Sequence, residues 1–351
     1  MSAAEEIRDE ISAAQPVGGQ RAIPFDRFMD LALYGEHGFY TSGGTAGRRG
    51  DFITSPEVGP LFGAVLARAL DAWWRELDEP DDFTVIEAGA GPGTLARSIR
   101  AAAPACSAAM RYIGVEVSAA QRERHPDGIE SVAVMPSEPV TGVIIANELL
   151  DNLPFRLFVM DGGWREAYVI AQPDGTFAEV LRRVDSVPSG LADSAPHGAR
   201  VPVQHRAAAW VQHSRSLLSR GRVVVIDYAS PTTAELAVRP WREWLRTYRG
   251  HERGQHYLRD PGSQDITADV AIDQLIAWCG EPDVVRTQNQ FLQRWGIEQL
   301  VDEGKSYWAT HAGQPSVEAM KMRSRVRESE ALLAEPGLGT FAVIEYRDLI
   351  H

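Results

Sequence analysis

One strand-to-helix turn limits what this chain can fold into more than any other segment. Residues 85–95 read Val-Ile-Glu-Ala-Gly-Ala-Gly-Pro-Gly-Thr-Leu: an apolar strand ends at Glu87, glycines alternate, and a helix begins near Thr94. Glycine is needed where φ is positive and where a ligand approaches the backbone closely. The first turn of a helix also offers free N–H donors to polar or anionic groups. The segment therefore predicts a ligand-binding turn, against the alternative of a tight turn that holds no ligand.

The middle of the chain alternates between strand and helix patterns. Apolar runs without strict alternation are typical of a parallel sheet that is covered on both faces. Such runs are found at residues 83–87, 112–117, 132–135, 142–146 and 222–227. Helical patterns occupy 94–103 and 203–219, and a hairpin pattern occupies 164–184. The sequence therefore predicts an α/β fold of the Rossmann-like type, with a mostly parallel sheet and helices on both faces.

The chain divides into four predicted segments. Residues 1–80 form an N-terminal helical segment with a glycine-rich loop, and residues 81–230 form the Rossmann-like core. Residues 231–280 are predicted to be an insertion or lid that contacts substrate, and residues 281–351 complete the core sheet. Within these segments, helices are predicted at 24–34, 58–77, 266–280 and 296–334, and a closing strand at 341–346.

The glycine spacing narrows the class of ligand. Gly89, Gly91 and Gly93 form Gly-x-Gly-x-Gly, which departs from the Gly-x-Gly-x-x-Gly fingerprint of NAD-binding folds. With Glu87 just before it, the segment resembles the first motif of S-adenosylmethionine (SAM)-dependent methyltransferases. That resemblance implies that Glu87 and the glycine backbone hold the amino acid end of SAM. Glu116 ends the next strand, where a carboxylate can accept both hydroxyls of a ribose in NAD and SAM enzymes alike, with a solvated glutamate as the alternative.

A second segment, residues 143–154, combines an apolar strand with carboxylates. The strand stops at Asn147 and Glu148, and ligands of open parallel sheets bind outside the carboxyl ends of the strands. Glu148 and Asp151 share one side if a helical turn begins here. Paired carboxylates can hold an arginine guanidinium and leave one nitrogen free to attack a methyl group. Asn147, Glu148 and Asp151 are therefore predicted to be acceptor-site residues, with acidic capping of a helix start as the alternative.

The segment Gly50-Asp51-Phe52-Ile53-Thr54-Ser55-Pro56 has features of a covering loop. It lies on a glycine-rich stretch and precedes a long amphipathic helix. A loop of this kind can close over a bound ligand and exclude water. Asp51, Thr54, Ser55 and Pro56 are therefore predicted to contact the cofactor. Thr54 or Ser55 before Pro56 also fits the start of a helix, and the two interpretations can hold together.

Taken together, these stretches resemble the MidA-like family, which includes mitochondrial assembly-factor methyltransferases of respiratory complex I and their bacterial relatives. The matching stretches lie at residues 33–40, 50–57, 62–63, 87–95, 116–118, 147–154, 163–166, 227–228 and 265–270. The resemblance implies a class I methyltransferase fold, SAM as cofactor and, from the mitochondrial members, arginine methylation on a complex I subunit. The family often has Leu-Gly-Pro-Gly at residues 88–91 and two aromatics at 149–150. This chain has Ala-Gly-Ala-Gly and Leu-Leu there, and the second departure leaves the substrate open.

Charge and composition disfavour several other classes. The formal net charge is −13, whereas a duplex-DNA binder is usually basic. Cys106 and Cys279 are too few for a disulfide framework or a Cys-rich zinc site, and the histidines lack ligand spacing, so no metal is predicted. The apolar runs are too short to span a membrane, and the first residues lack the apolar core of a secretory signal. We therefore expect no membrane insertion and a cytoplasmic location.

The segment 239–262 admits two interpretations. It interleaves tryptophan and tyrosine with arginine, as platforms for single-stranded nucleic acid do, but the acidic chain favours a packed lid or a protein-docking surface. Several functions stay open beside a protein arginine methyltransferase. They are a non-catalytic methyltransferase-like assembly factor, a methyltransferase for a small molecule or nucleic acid, and an NAD dehydrogenase, which the glycine spacing disfavours. The sequence also leaves open the acceptor, the number of methyl groups added and a homo-oligomer.

Overall fold

The structure is a computed structural model that describes residues 1–16, 19–42, 54–249, 252–314 and 316–349. The chain forms two units. Unit 1 comprises Met1–Phe52, Leu149–His213 and Tyr228–Glu281, and unit 2 comprises Ile53–Glu148, Ser214–Asp227 and Pro282–His351. The segment limits predicted at residues 80, 230 and 280 differ from these bounds and stay predictions. Asp51, with the first part of the predicted covering loop, lies outside the described residues.

Each predicted helical segment contains a helix, and the segment predicted as one helix at 296–334 contains two. The helices are α1 (Ala3–Ala13), α2 (Phe25–Tyr34), α3 (Ser55–Val58), α4 (Pro60–Glu76), α5 (Thr94–Ala101), α6 (Ala119–Arg122), α7 (His205–Ser216), α8 (Thr233–Val238), α9 (Trp241–Trp244), α10 (Ile272–Cys279), α11 (Gln288–Arg294), α12 (Ile297–His311) and α13 (Val317–Leu333). Short 3-10 turns lie at Ala105–Ala108, Leu150–Asn152 and Leu338–Thr340. In the described part of the chain, no helix has both the length and the apolar character needed to cross a membrane.

The strands are β1 (Ile23–Pro24), β2 (Phe83–Ala88), β3 (Met110–Val115), β4 (Glu130–Val132), β5 (Val140–Asn147), β6 (Arg156–Met160), β7 (Trp164–Ala171), β8 (Phe177–Arg183), β9 (Arg200–Val203), β10 (Leu218–Asp227), β11 (Ala229–Ser230), β12 (Leu245–Arg249), β13 (Glu252–Arg253), β14 (Asp265–Ala268), β15 (Val270–Ala271), β16 (Val284–Thr287) and β17 (Ala342–Leu349). The helix predicted at 266–280 is therefore wrong in its first half. β-Branched Ile266 and Thr267 pair antiparallel with β12, and this pairing outweighs the helical spacing of the apolar residues.

Unit 2 is built on a seven-stranded sheet in the order β16-β17-β10-β5-β2-β3-β4. Five neighbouring strands, from β10 to β4, run parallel. β17 pairs antiparallel with β10, and β16 pairs antiparallel with β17 and so runs in the direction of the five. Every residue of β2 is buried, as an apolar run covered on both faces requires. The predicted Rossmann-like, mostly parallel α/β fold is confirmed.

Unit 1 contains smaller sheets that are mainly antiparallel. One has the order β1-β7-β6-β9 with β8 paired to β7, and a second has the order β13-β12-β14. The predicted hairpin joins β7 to β8, where the Gln172 N–H donates to the Thr176 carbonyl at 2.8 Å. An aromatic cluster lies in the core of unit 1. The ring of Phe25 has its centroid 5.0–6.2 Å from those of Phe28, Phe155 and Tyr257. Segment 239–262 contributes α9, β12 and β13 to this unit, and its role as a lid or a docking surface stays a prediction.

Candidate active site

The parallel strands of unit 2 end in register and bring the predicted cofactor residues to one edge. Ala88, the last residue of β2, pairs with Val115 of β3 and with Ala146 of β5. Asn147 pairs in turn with Ile226 of β10. We call this side of the sheet the carboxyl edge. The glycine turn, Glu116 and Glu148 follow directly from it, and Asn147 is the last residue of β5. Open α/β sheets bind their ligands at this side.

The glycine turn has the backbone conformation that its sequence requires. Gly89, Gly91 and Gly93 have φ values of +70°, +52° and +75°. The N–H groups of Gly89 and Ala90 donate to the Val115 carbonyl at 2.9 and 3.0 Å, which ties the turn to β3. A Cβ built on Gly91 meets nothing within 4 Å, so open space lies beside the turn. The turn is thus held from the sheet side and open on the other.

Glu116 fastens the end of β3 to the glycine turn. Its side chain is 9% exposed, and its Oε2 accepts the Gly91 N–H at 2.9 Å. Its Oε1 accepts the Ser118 N–H at 2.8 Å. An ionised carboxylate has about four acceptor positions, and these two hydrogen bonds use two of them. The hydroxyl oxygen of Ser118 is buried without a hydrogen-bond partner among the described residues, so a polar group is left for a ligand here.

Glu87 lies deeper in the unit. It is 5% exposed, and its Oε2 accepts the Tyr112 hydroxyl at 2.7 Å. Burial raises the pKa of Glu87 to about 8, against the hydrogen bond from Tyr112, and the negative charge of Glu116 raises it further. A nearby cation would stabilise the ionised form of such a buried carboxyl group and lower its pKa. SAM carries two cationic groups, its ammonium and its sulfonium.

Residues of the helix α3 contact the end of β5 and the start of α5. The Ser55 N–H donates to Oε1 of Glu148 at 3.3 Å, and the hydroxyl of Thr94, at the start of α5, donates to Glu57 at 2.5 Å. Thr54 occupies the N-cap position with extended backbone, but its side chain makes no capping hydrogen bond. The cap interpretation therefore holds for the backbone, with Pro56 in the first turn, and not for the threonine side chain.

Asn147 and Glu148 form a polar pair at the end of β5. The Asn147 amide donates to Oε1 of Glu148 at 3.1 Å, and its own Oδ1 is buried without a partner among the described residues. Glu148 has a φ of +52°, while its N–H donates to the Ile226 carbonyl at 2.8 Å. Such a conformation costs a residue other than glycine about 1–3 kcal/mol and is concentrated at functional sites.

Asp151 lies in unit 1, on the 3-10 turn Leu150–Asn152. The turn begins after Glu148, so a shared side for the two carboxylates stays a prediction. Asp151 is 3% exposed, and its Oδ2 accepts the hydroxyl of Thr267. Burial raises the pKa of Asp151 to about 6, while the Thr267 hydrogen bond and the positive charge of Arg246 oppose the rise.

Sequence reasoning missed several polar residues that contact the predicted ones. Gln288 accepts the Ser55 hydroxyl at 2.9 Å, and Asp265 accepts the Asn152 amide at 3.0 Å. Burial, followed by the charge of Asp151, raises the pKa of Asp265 to about 7. Asp265 lies in a stretch that carried the family resemblance, yet no role was predicted for it. In the part of the chain that the structure describes, no group of three or more His, Cys, Asp or Glu residues could hold a metal ion.

The residues at the carboxyl edge fit SAM. The space beside Gly91 admits a ligand against the backbone. Glu116 has acceptor positions for a ribose, and Glu87 is a carboxyl group suited to a cation. The buried, unpartnered oxygens of Ser118 and Asn147 are polar groups that a ligand can satisfy. The individual contacts predicted for Glu87, Gly89, Gly91, Gly93, Glu116, Thr54, Ser55 and Pro56 stay predictions.

The chain is similar to known proteins along most of its length. Residues 65–289 match the model of a family described as "Putative S-adenosyl-L-methionine-dependent methyltransferase". A crystal structure of a Burkholderia thailandensis protein bound to S-adenosyl-homocysteine superimposes with a TM-score of 0.81 at 29% identity, covering 99% of this chain and 92% of that one. A native crystal structure of a Burkholderia thailandensis protein gives a TM-score of 0.79 at 27% identity, with coverages of 99% and 91%.

Curated relatives carry a more specific name. The "Protein arginine methyltransferase NDUFAF7 homolog, mitochondrial" of Drosophila melanogaster is 27% identical over 316 residues, which are 77% of this chain and 68% of the relative. The "Protein arginine methyltransferase NDUFAF7, mitochondrial" of Danio rerio is 22% identical over 328 residues, 82% and 75% of the two chains. With the sheet, the glycine turn and the family match together, the cofactor is SAM. The chain belongs to the MidA-like family of SAM-dependent methyltransferases.

Proposed function

We propose that this methyltransferase acts on arginine side chains of a protein, and that a subunit of respiratory complex I is the first candidate substrate. The observation that carries the proposal is the strained, hydrogen-bonded glutamate at the end of β5. Glu148 follows directly from the carboxyl edge and is held by Asn147 and Ser55. The names of the Drosophila and zebrafish relatives support the arginine assignment. The complex I substrate comes from the family resemblance alone.

An arginine acceptor explains why acidic residues are placed at this edge. A guanidinium has a pKa of about 12 or higher, so it stays protonated at neutral pH. It needs negatively charged partners when it leaves water. A carboxylate that holds two of its N–H groups localises the charge and leaves a third nitrogen to attack. SAM supplies the methyl group on its sulfonium. Methyl transfer to a guanidinium then releases one proton, so a carboxylate nearby also serves as its acceptor.

Glu148 is prepared for this role by its neighbours. Oε1 accepts from the Ser55 N–H and the Asn147 amide, so the carboxylate orientation is fixed before substrate arrives. Preorganised charge of this kind does not have to reorient during the reaction. The unpartnered Oδ1 of Asn147 is an additional acceptor, suited to a guanidinium N–H. We assign Glu148 and Asn147 to orienting the acceptor nitrogen.

Asp151 contributes a second negative charge. With a pKa near 6, it is mostly ionised at neutral pH, although it is buried. A guanidinium bound to it lowers that pKa further and so favours the charged form. We assign the ionised Asp151 carboxylate to binding the protonated guanidinium of the arginine.

The test is methyl transfer to matched peptides. With labelled SAM, we expect the protein to methylate an arginine peptide and not the same peptide with lysine, because lysine lacks the planar fork that carboxylates hold. Glu148→Gln and Asp151→Asn should each lower kcat/KM for the peptide by about 100-fold, since each leaves a buried cation short of one carboxylate. SAM affinity should change less than about threefold. Asp185→Asn, an exposed carboxylate in unit 1, serves as the matched control.

Two results would contradict the proposal. One is label that enters the lysine peptide as well as the arginine peptide, and the other is full activity in both acidic variants. Mass spectrometry of the labelled peptide identifies the methylated atom. For the complex I substrate, methylarginine on complex I subunits is compared between host cells with and without this protein.

A further inference from the structure

A buried network in unit 1 surrounds the turn that carries Asp151. Asp265, at the start of β14, is 1% exposed. Its carboxylate accepts from the hydroxyl of Tyr40 at 3.0 Å and from its neighbour, the Ile266 N–H, at 2.9 Å. It also accepts the Asn152 amide with both oxygens, at 3.0 and 3.2 Å. Asp265 is thus anchored by its own strand and by Tyr40, and the amide it holds belongs to the residue after Asp151.

The Leu150–Asn152 turn is held by contacts on both the side chain and the backbone of Asn152. The Asn152 amide also donates to the Ile266 carbonyl at 3.2 Å. The hydroxyl of Tyr34 donates to the backbone carbonyl of Asn152 at 3.3 Å. Asn152 is 4% exposed, so these bonds are shielded from competing water. The amide of Asn152 is therefore the fixed point of the turn.

The strand β14 presents two alternate residues to this turn. Side chains at positions i and i+2 of a strand lie on the same face. Asp265 contacts Asn152, and Thr267 donates its hydroxyl to Asp151. Asp265 and Thr267, two positions apart on one face of β14, therefore contact the consecutive residues Asn152 and Asp151. β14 is itself paired with β12, where Arg246 lies opposite Thr267, so the strand is a rigid support.

We propose that Asp265 is a positioning residue for methyl transfer, which fixes Asp151 by anchoring the Leu150–Asn152 turn through the amide of Asn152. The inference rests on the proposed function, because it takes Asp151 as the carboxylate that binds the acceptor arginine. Asp265 itself is buried beneath the turn and acts through Asn152. Its role differs from that of Asp269, whose carboxylate forms ion pairs with Arg246 at 2.8 Å and Arg239 at 3.0 Å.

The chemistry of Asp265 allows a conservative substitution. Among the described residues, its carboxylate accepts from the Tyr40 hydroxyl, the Asn152 amide and the Ile266 N–H, and it forms no ion pair with an arginine or lysine. Asparagine keeps one carbonyl oxygen that can accept the Asn152 amide. Alanine keeps none. The Asn and Ala variants therefore separate the hydrogen-bond acceptor from the rest of the side chain.

The experiment compares Asp265→Ala and Asp265→Asn with the wild-type protein, using SAM and the arginine peptide. We expect Asp265→Ala to lower kcat by about 100-fold, because displacing a substrate-binding group by about 1 Å has an effect of this size. SAM affinity, measured by calorimetry, should stay within about twofold because the carboxyl edge belongs to unit 2. Asp265→Asn should recover at least about tenfold of the lost kcat. Recovery by the variant that keeps the acceptor is the readout that a purely structural role would not give.

A matched control separates positioning from general loss of structure. Asp273 in α10 also anchors a neighbouring segment of unit 1, accepting the N–H and hydroxyl of Thr233 at 2.8 and 2.9 Å. Asp273→Ala should lower stability without lowering kcat more than about threefold. Thermal unfolding of each variant reports whether it is folded at the assay temperature.

Each outcome bears on one of the two proposals. If the wild-type protein methylates arginine and Asp265→Ala keeps the wild-type kcat, or Asp265→Asn recovers nothing, the positioning role is overturned and the arginine assignment stands. If Asp265→Ala does not fold, Asn152→Ala replaces it, because that change removes the amide through which Asp265 acts. A wild-type kcat in Asn152→Ala then overturns the positioning role, and a loss of more than about tenfold supports it. If the wild-type protein methylates no arginine peptide, both proposals fail.

Discussion

At the scale of single residues, the site combines charge with burial. Glu87, Glu116, Asp151 and Asp265 are all less than 10% exposed, and each accepts hydrogen bonds from named donors. Burial raises the pKa values of Glu87, Asp151 and Asp265 above their ordinary values. SAM and arginine both bring positive charge. Binding of either one should therefore change protonation, and that change can be measured.

For Glu87 we expect SAM binding to release a proton. Its pKa of about 8 keeps it mostly protonated at pH 7 in the free protein, and a cation lowers the pKa and expels the proton. The groups that face it are Tyr112, Glu116 and Arg97. Calorimetry at pH 7 in buffers of different ionisation enthalpy should give a release approaching about one proton, and SAM affinity should rise with pH up to about 8. Glu87→Gln should abolish the release, and the same release in that variant would show that Glu87 does not sense SAM.

At the scale of elements, the helix α13 fixes the start of α4 and so the position of α3. The buried carboxylate of Glu328 accepts the Leu61 N–H at 2.8 Å in the first turn of α4. It lies so close to Gly59 that a Cβ there would be 2.3 Å from the Glu328 Cδ. Since α3 directly precedes Gly59, this capping contact helps to place the residues that meet Glu148 and Thr94.

Gly59→Ala should therefore destabilise the protein and weaken SAM binding. The new methyl group must displace the Glu328 carboxylate, and overpacking of this kind costs about 1–3 kcal/mol. Denaturant unfolding measures the loss, and calorimetry measures SAM affinity. Gly313→Ala, where a Cβ meets nothing within 4 Å, should stay within about 0.5 kcal/mol of wild type. Equal stability of the two variants would mean that the Glu328 contact does not constrain α4.

Elements with strong local signals could be predicted from sequence. The glycine turn, α4, the Val/Ile-rich strands and the β7–β8 hairpin lie where their residue patterns place them. The structure of residues 266–271 could not be predicted in this way, because apolar spacing over so few residues fits a helix and a strand equally. The pairing with β12 decides between the two. The contact between Asp265 and Asn152 joins residues 113 positions apart, and no local pattern carries that information.

At the scale of the whole molecule, each unit is assembled from three separate stretches of chain. The sequence predicted the parallel sheet of unit 2, because each strand is a local signal, but it placed residues 149–213 in the same core. In the structure those residues belong to unit 1, with the N-terminal helices. Segment membership depends on long-range packing, which hydrophobic periodicity does not encode. The positions of the glycine turn, Glu116 and Asn147 were nevertheless predictable, since the first two directly follow a strand and Asn147 ends one.

Binding of SAM against the glycine turn at the carboxyl edge is tested by calorimetric titration of wild type, Gly91→Val and Gly175→Val with S-adenosyl-homocysteine. Gly91 and Gly175 both have positive φ, and a Cβ at either meets nothing within 4 Å, so the two substitutions carry similar backbone strain. We predict micromolar binding by wild type and by Gly175→Val, and no binding by folded Gly91→Val, whose side chain fills the ligand space. Wild-type affinity in Gly91→Val would show that the cofactor does not bind against this turn.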